Sequence, residues 1–341
     1  MASSMFQDSF LQTTLDDKTP TQLQVTTPNQ GQLNWLSRGV VEFIPKQPLA
    51  ASKDIVVSSG IHGDETLGIE MVDSLVSRLL SGEIDIAHRC LFIIGHPQAT
   101  LNHTRFLDEN MNRLFASLPS HHNTETKIAV RLMEEVERFF TQGSAHSRWH
   151  LDLHSAIRES AHFTFAVSPY CQSPVRSKAL FEFLEHAQVE AVMLSGSATS
   201  TFSWFGAERF GAQALTLELG RVAKLGDNDH GKVAAFESAL DALLEGEAYS
   251  TTPQPVCVYR VTRTITKTDA SFSFTFADSV ANFTRFDKGE LLAIDGESLV
   301  YAQHQNEAVV FPNSKVALNQ RAALMVVESN YRFVGEQLVI D

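Results

Sequence analysis

The sequence predicts an α/β protein in which a mixed, mostly parallel sheet is flanked by helices and followed by a small β-rich C-terminal domain. Three observations predict it. Between residues 53 and 245, short β-branched runs closed by turn residues alternate with amphipathic helical stretches. A Thr/Pro stretch, Thr251-Thr252-Pro253-Gln254-Pro255, then reads as a linker. Beyond it the pattern changes to the two-residue alternation of strands with one buried face.

Within residues 1–50 one strand is expected, Gly39 to Ile44, stopped by Pro45 and Pro48. Asp54 to Ser59 (DIVVSS) is too short for a helix and ends at Gly60. Leu67, Met71, Leu75 and Leu79, with Val72, Val76 and Leu80 beside them, form one helical face. Arg89 to Gly95 (RCLFIIG) is a strand closed by Pro97. Ile128, Leu132, Met133, Val136, Phe139 and Phe140 mark a second helix. Trp149 to His154 (WHLDLH) and Ala212 to Leu219 (AQALTLEL) are further strands, and Val233, Phe236, Leu240, Leu243 and Leu244 a third helix. Strands alternating with helices bury both faces of a parallel sheet. The expected domains are 1–250, carrying the chemistry, and 251–341, built of strands such as VCVYRVTRTIT (256–266) and SFSFTF (271–276).

Composition narrows the function. Hydrophobic residues make up 43% of 341, enough for a large core. The net charge of −13, from 27 basic and 40 acidic residues, argues against nucleic acid or an anionic membrane as partner. No apolar run reaches the roughly 18–20 residues of a membrane span, and Met1 to Thr27 has no apolar signal core. Cys90, Cys171 and Cys257 are scattered, with no metal-type pair or disulfide framework, so a cytoplasmic setting is expected. His121-His122 lies in a polar stretch and reads as a solvated loop. A homo-oligomer is compatible with all of this.

Gly60-Ile61-His62-Gly63-Asp64-Glu65 follows the first strand of the alternating region. Ligands collect at the carboxyl ends of strands in open α/β sheets. A His and a carboxylate three residues apart at such a turn can reach one metal, and catalytic zinc takes three protein ligands plus a water. His154 closes another strand. Asp152 points to the same side two residues earlier and can orient that imidazole. Glu218, near the end of an apolar strand, suits a base for metal-bound water. Arg105 and Asn110-Met111-Asn112-Arg113 offer planar donors for a carboxylate or a developing oxyanion. Taken singly, each has a plainer reading: a solvated turn, a buried strand histidine, a salt-bridged glutamate, surface arginines.

Their order is more specific than any member. HxxE, an Arg and an Asn-Arg pair, a distant His and a late-strand Glu together resemble the M14 zinc carboxypeptidase superfamily. GIHGDE, DLHSAIR and TLELG resemble its aspartoacylase/succinylglutamate desuccinylase branch, over roughly residues 53–245. The resemblance implies a carboxypeptidase-like fold and one Zn2+ per subunit, bound by His62, Glu65 and His154. It implies Glu218 as general base, with Arg105, Asn112 and Arg113 contacting substrate or oxyanion. TFSWFGAERF (201–210) followed by ALTLELG points within the branch to N-succinyl-L-glutamate, a small anionic N-acyl amino acid. The expected reaction is its hydrolysis to succinate and L-glutamate, which closes arginine catabolism by the succinyl route. The alternatives are another N-acyl amino acid amidohydrolase, aspartoacylase-like, or a non-catalytic zinc- or ligand-binding protein. Arg158, just past the third ligand, is a candidate for a second substrate carboxylate, or for an ion pair with Glu159. Tyr259, Tyr301 and Tyr331 are candidates for a substrate contact from the β domain.

Overall fold

The computed structural model describes residues 5–117, 119–143, 147–172 and 176–340. The outermost residues of the two expected domains, 1–4 and 341, lie outside these. Among the described residues a 13-stranded sheet dominates. At its centre Arg89–Ile94, Lys53–Ser59, Ser147–Ala156 and Gln213–Arg221 lie side by side, all parallel. Thr164–Ser168 runs antiparallel to Gln213–Arg221 and parallel to Ala191–Leu194. The expected mixed, mostly parallel sheet flanked by helices is what the chain forms.

Both faces of the central strands are apolar because both are covered. Ile55, Val57, Leu151, Leu153, Leu215 and Leu217 pack under the helices Thr66–Ser81 and Ala234–Glu245. Val56, Leu91 and Ile93 face the opposite way, onto Leu132, Val136 and Phe140 of Thr124–Gln142 and Phe202 and Phe205 of Phe202–Phe210. The long helix Thr124–Gln142 starts at a capping box, in which Asn123 and Thr126 satisfy each other's backbone donors. Strand direction brings every parallel C-terminus to one edge of this sandwich.

The N-terminal region holds more structure than the single strand expected there. Helix Phe10–Leu15 and strands Gln24–Thr26 and Gln32–Ser37 precede Val40–Ile44. Met5, Phe6 and Phe10 join the main core, and Phe6 and Phe10 meet Trp35 with ring centroids 5.9 and 6.0 Å apart. A six-residue helix is too short to show a hydrophobic period.

The C-terminal β lobe is rooted in the same sheet. Cys257–Thr266 pairs in parallel with Ala191–Leu194, and Arg321–Glu328 pairs with it antiparallel on the other side. Glu307–Val310 and Thr284–Phe286 continue the ladder. The residues read as a linker thus lead directly into the sheet. A separate cluster including Leu292, Ala293, Val309 and Met325 forms the core of the lobe.

Candidate active site

The turn after Lys53–Ser59 is built for close approach. Gly60 has φ +63°, and a Cβ on Gly63 would lie 2.2 Å from the backbone of Ala99. The Gly63 N–H donates to Arg105 O at 3.2 Å, which ties this turn to the arginine loop. His62 and Glu65 are both buried. His154 leaves the neighbouring strand end, and it pairs in register with Glu218 on the next strand.

Hydrogen bonds fix the tautomers. Asn110 Oδ1 accepts from Asn112 N–H at 3.0 Å, so it is an acceptor. His62 Nε2, 2.9 Å from that oxygen, must carry the proton, which leaves Nδ1 bare. Asp152 holds His154 Nε2 at 2.9 Å and takes a 2.6 Å bond from Ser58 Oγ through its other oxygen. In the neutral ring a proton on His154 Nε2 puts the lone pair on Nδ1. Both Nδ1 atoms face one carboxylate: His62 Nδ1 is 2.9 Å from Glu65 Oε1 and His154 Nδ1 is 2.6 Å from Glu65 Oε2. At such distances a proton or a metal ion must lie between nitrogen and oxygen. His62 Nδ1 is a buried atom without a hydrogen-bond partner. Two imidazoles and a carboxylate, the far nitrogen of each imidazole fixed by an acceptor, are the donor set that divalent zinc accepts. Among the described residues these three form the one group able to hold a metal ion.

Without a metal ion the cluster holds protons instead. Burial raises the Glu65 pKa, but His62 and His154 outweigh it and hold the carboxyl well below its ordinary range. Burial opposes charge on His154, and Asp152 and Glu65 together outweigh that and push its pKa well up. Burial, then Glu65, push Glu218 up to about 7. Such a carboxyl is poised to exchange protons near neutrality.

These groups open on a cavity of about 440 Å³, within the range that encloses a small molecule. Its wall includes His62, Glu65, Arg105, Asn112, Arg113, His154, Arg158 and Glu218, so the structure brings every site residue expected from the sequence to one place. They are not equally free. Arg105 bonds Glu65 Oε1. Asn112 Oδ1 accepts from Phe202 N–H at 2.8 Å, which fixes the amide against the helix Phe202–Phe210. Arg158 reaches the cavity wall while its Nη1 and Nη2 donate to the carbonyls of Asp278, Val280 (2.9 Å) and Pro312 (2.8 Å). Backbone oxygens of the β lobe thus engage two of its three nitrogens. None of the three candidate tyrosines lines the cavity. Tyr259 bonds His162 at 3.0 Å, Tyr331 bonds Glu185 at 3.2 Å, and Tyr301 is exposed.

Two wall or support residues escaped the sequence reading. Asn110 stood inside the quoted Asn/Arg cluster, and only the tautomer argument gives it a use. Arg321 carries no local signal, and topology alone brings it from the β lobe to the cavity.

A buried His–Glu–His cluster able to hold a metal ion, at the strand ends of a three-layer α/β sandwich with a carboxyl of raised pKa beside it, defines the class. Residues 51–244 match the family model described as the succinylglutamate desuccinylase/aspartoacylase catalytic domain, and residues 254–329 match the AstE/AspA barrel-sandwich hybrid domain. The chain is 48% identical, over the whole of both chains, to succinylglutamate desuccinylase of Vibrio cholerae. It superposes on the crystal structure of a succinylglutamate desuccinylase from that organism with a TM-score of 0.96, covering 99% of this chain and all of the other at 48% identity. The crystal structure of the enzyme so named from Chromobacterium violaceum gives a TM-score of 0.83 at 30% identity, covering 94% and 98%. The chain belongs to the succinylglutamate desuccinylase/aspartoacylase family.

Proposed function

We propose that this chain is a zinc-dependent amidohydrolase that cleaves N-succinyl-L-glutamate to succinate and L-glutamate, as the last step of arginine catabolism by the succinyl pathway, in the cytoplasm. Residues 1–250 form the catalytic domain and 251–341 the smaller β domain. The observation that carries the reading is the convergence of two buried imidazole Nδ1 atoms on Glu65, a group able to hold a metal ion. The identity of 48% to full-length relatives of that name supports the substrate.

His62, Glu65 and His154 would hold one zinc ion, which when bound supplies a Lewis acid and a water acidified toward a pKa of about 7. Glu218 takes the proton of the attacking water and returns it to the leaving amine. Its raised pKa suits both transfers. Arg105 offers its charge to the carbonyl oxygen as negative charge develops there. Asn112 and Arg113 bind a carboxylate of the substrate and set the amide in place. Burial, then Arg321 and Arg105, lower the Arg113 pKa to about 10, so it remains a cation at neutral pH.

The test is a comparison of kcat/KM for the zinc-loaded protein on N-succinyl-L-glutamate, N-acetyl-L-aspartate and N-acetyl-L-glutamate. A preference for the first is expected. A preference for an acetylated substrate would move the protein to the aspartoacylase side. No turnover at full zinc occupancy would leave a binding protein.

A further inference from the structure

Arg321 opens on the cavity from the β lobe, and no hydrogen bond or ion pair to its side chain is found among the described residues. Its backbone is tightly held. Arg321 pairs with Thr266 across the sheet, the Lys267 N–H donates to Gln320 O at 3.0 Å, and the Asn313 N–H donates to Ala322 O at 2.7 Å. Arg158, through Pro312 O, fixes the loop alongside. The guanidinium is therefore presented from a rigid base.

Its charged neighbour is also a cation. Arg113 donates within the protein only to Asn112 O, at 2.8 Å, among the described residues, and Arg321 is close enough to depress its pKa. Burial lowers that of Arg321 itself. Of the carboxylates on the cavity wall, Glu65 is engaged by two imidazoles and Arg105, and among the described residues no hydrogen bond or ion pair joins Glu218 to either arginine. Two guanidiniums brought together in a partly desolvated cavity without an acidic partner repel one another, and they are stabilised only when an anion joins them.

We infer that Arg321 is a specificity-determining residue, and that with Arg113 it forms a carboxylate clamp shared between the α/β body and the β lobe. The occupant is one of the carboxylates of an N-acyl amino acid, remote from the scissile amide, so the inference rests on the reading proposed above. A charge-assisted, planar contact of this kind selects against acyl amino acids that lack the matching carboxylate.

The experiment is a set of kcat/KM values for the wild type, R321M and R321K, all zinc-loaded. The substrates are N-succinyl-L-glutamate and three analogues, each lacking one carboxylate: N-butyryl-L-glutamate, N-succinyl-L-glutamine and N-succinyl-4-aminobutyrate. R321M is expected to lose about 10- to 100-fold on the parent, mainly through KM, and R321K to recover part of it. One analogue should be cleaved equally by wild type and R321M, and it identifies the carboxylate bound. An equal loss on all four substrates, or no loss on the parent, would overturn the assignment. Should the wild type cleave none of them, the amidohydrolase reading fails on its own. Calorimetry with succinate and with glutamate then decides the clamp: weaker binding of either by R321M keeps it, and unchanged binding removes it.

Discussion

Asn110 Oδ1 accepts a backbone proton, and that one bond determines which nitrogen of His62 is bare. An outer group of this kind sets ring orientation and ligand basicity. Asn110→Ala is therefore expected to weaken zinc affinity about 10- to 100-fold with little change in fold, read by competition with a chromophoric chelator. Glu218 touches none of the three proposed ligands through a hydrogen bond, so Glu218→Gln is expected to keep zinc and lose most turnover. Metal analysis beside kcat checks this, and near wild-type kcat would remove Glu218 from the chemistry. The HxxE turn, His154 and Glu218 were legible because strand ends gather in α/β sheets and polar groups in apolar strands need a reason. Asn110 and Arg321 were not. Their use depends on a tautomer and on a long-range approach, and neither leaves a local pattern. The place of Arg158 in the chain likewise says nothing of the three carbonyls that fold back onto it.

Among the elements, the helix Phe202–Phe210 lies close on the strand that carries His154. A Cβ on Gly206 would meet His150 Nδ1 at 2.5 Å, and His150 is fully buried beside Ser58, 3.1 Å from its Oγ. Gly206→Ala would gain helix propensity, yet the overlap with a buried ring outweighs it. A net loss of about 1–3 kcal/mol is expected, measured by urea unfolding. Equal or greater stability would mean that helix and strand separate easily. Helices Thr66–Ser81, Thr124–Gln142 and Ala234–Glu245 were readable because each runs long enough to repeat its apolar stripe. Phe10–Leu15, at six residues, never completes one.

For the molecule as a whole, acid sensitivity is built in away from the site. His88 is fully buried, and its Nδ1 accepts the Lys53 N–H at 3.3 Å. Burial, then the Lys53 charge, lower its pKa to about 4. The unfolded chain takes up this proton near pH 6.5 and the folded chain only near 4. The stability given by a neutral His88 is therefore complete above pH 6.5 and is lost as pH falls toward 4. The stability gap between wild type and His88→Asn should narrow by about 2 kcal/mol across that window, below the roughly 3 that the full shift implies because the Lys53 charge that adds to the shift is half-exposed and screened by solvent. Unfolding curves of both proteins at several pH values check it, and a gap independent of pH would contradict it.

The Thr/Pro stretch at 251–255 suggested two bodies joined by a tether. The parallel pairing of Cys257–Arg260 with Ala191–Leu194 begins at once after it. A hinge there would have to tear a ladder inside the main sheet. The cavity wall formed by residues 311–321 therefore stands fixed against the strand ends, and no clamshell motion at 251–255 admits or releases small molecules. Product release is therefore expected to need no hinge opening at 251–255, so added viscogen should slow turnover only as far as it slows diffusion into and out of the cavity.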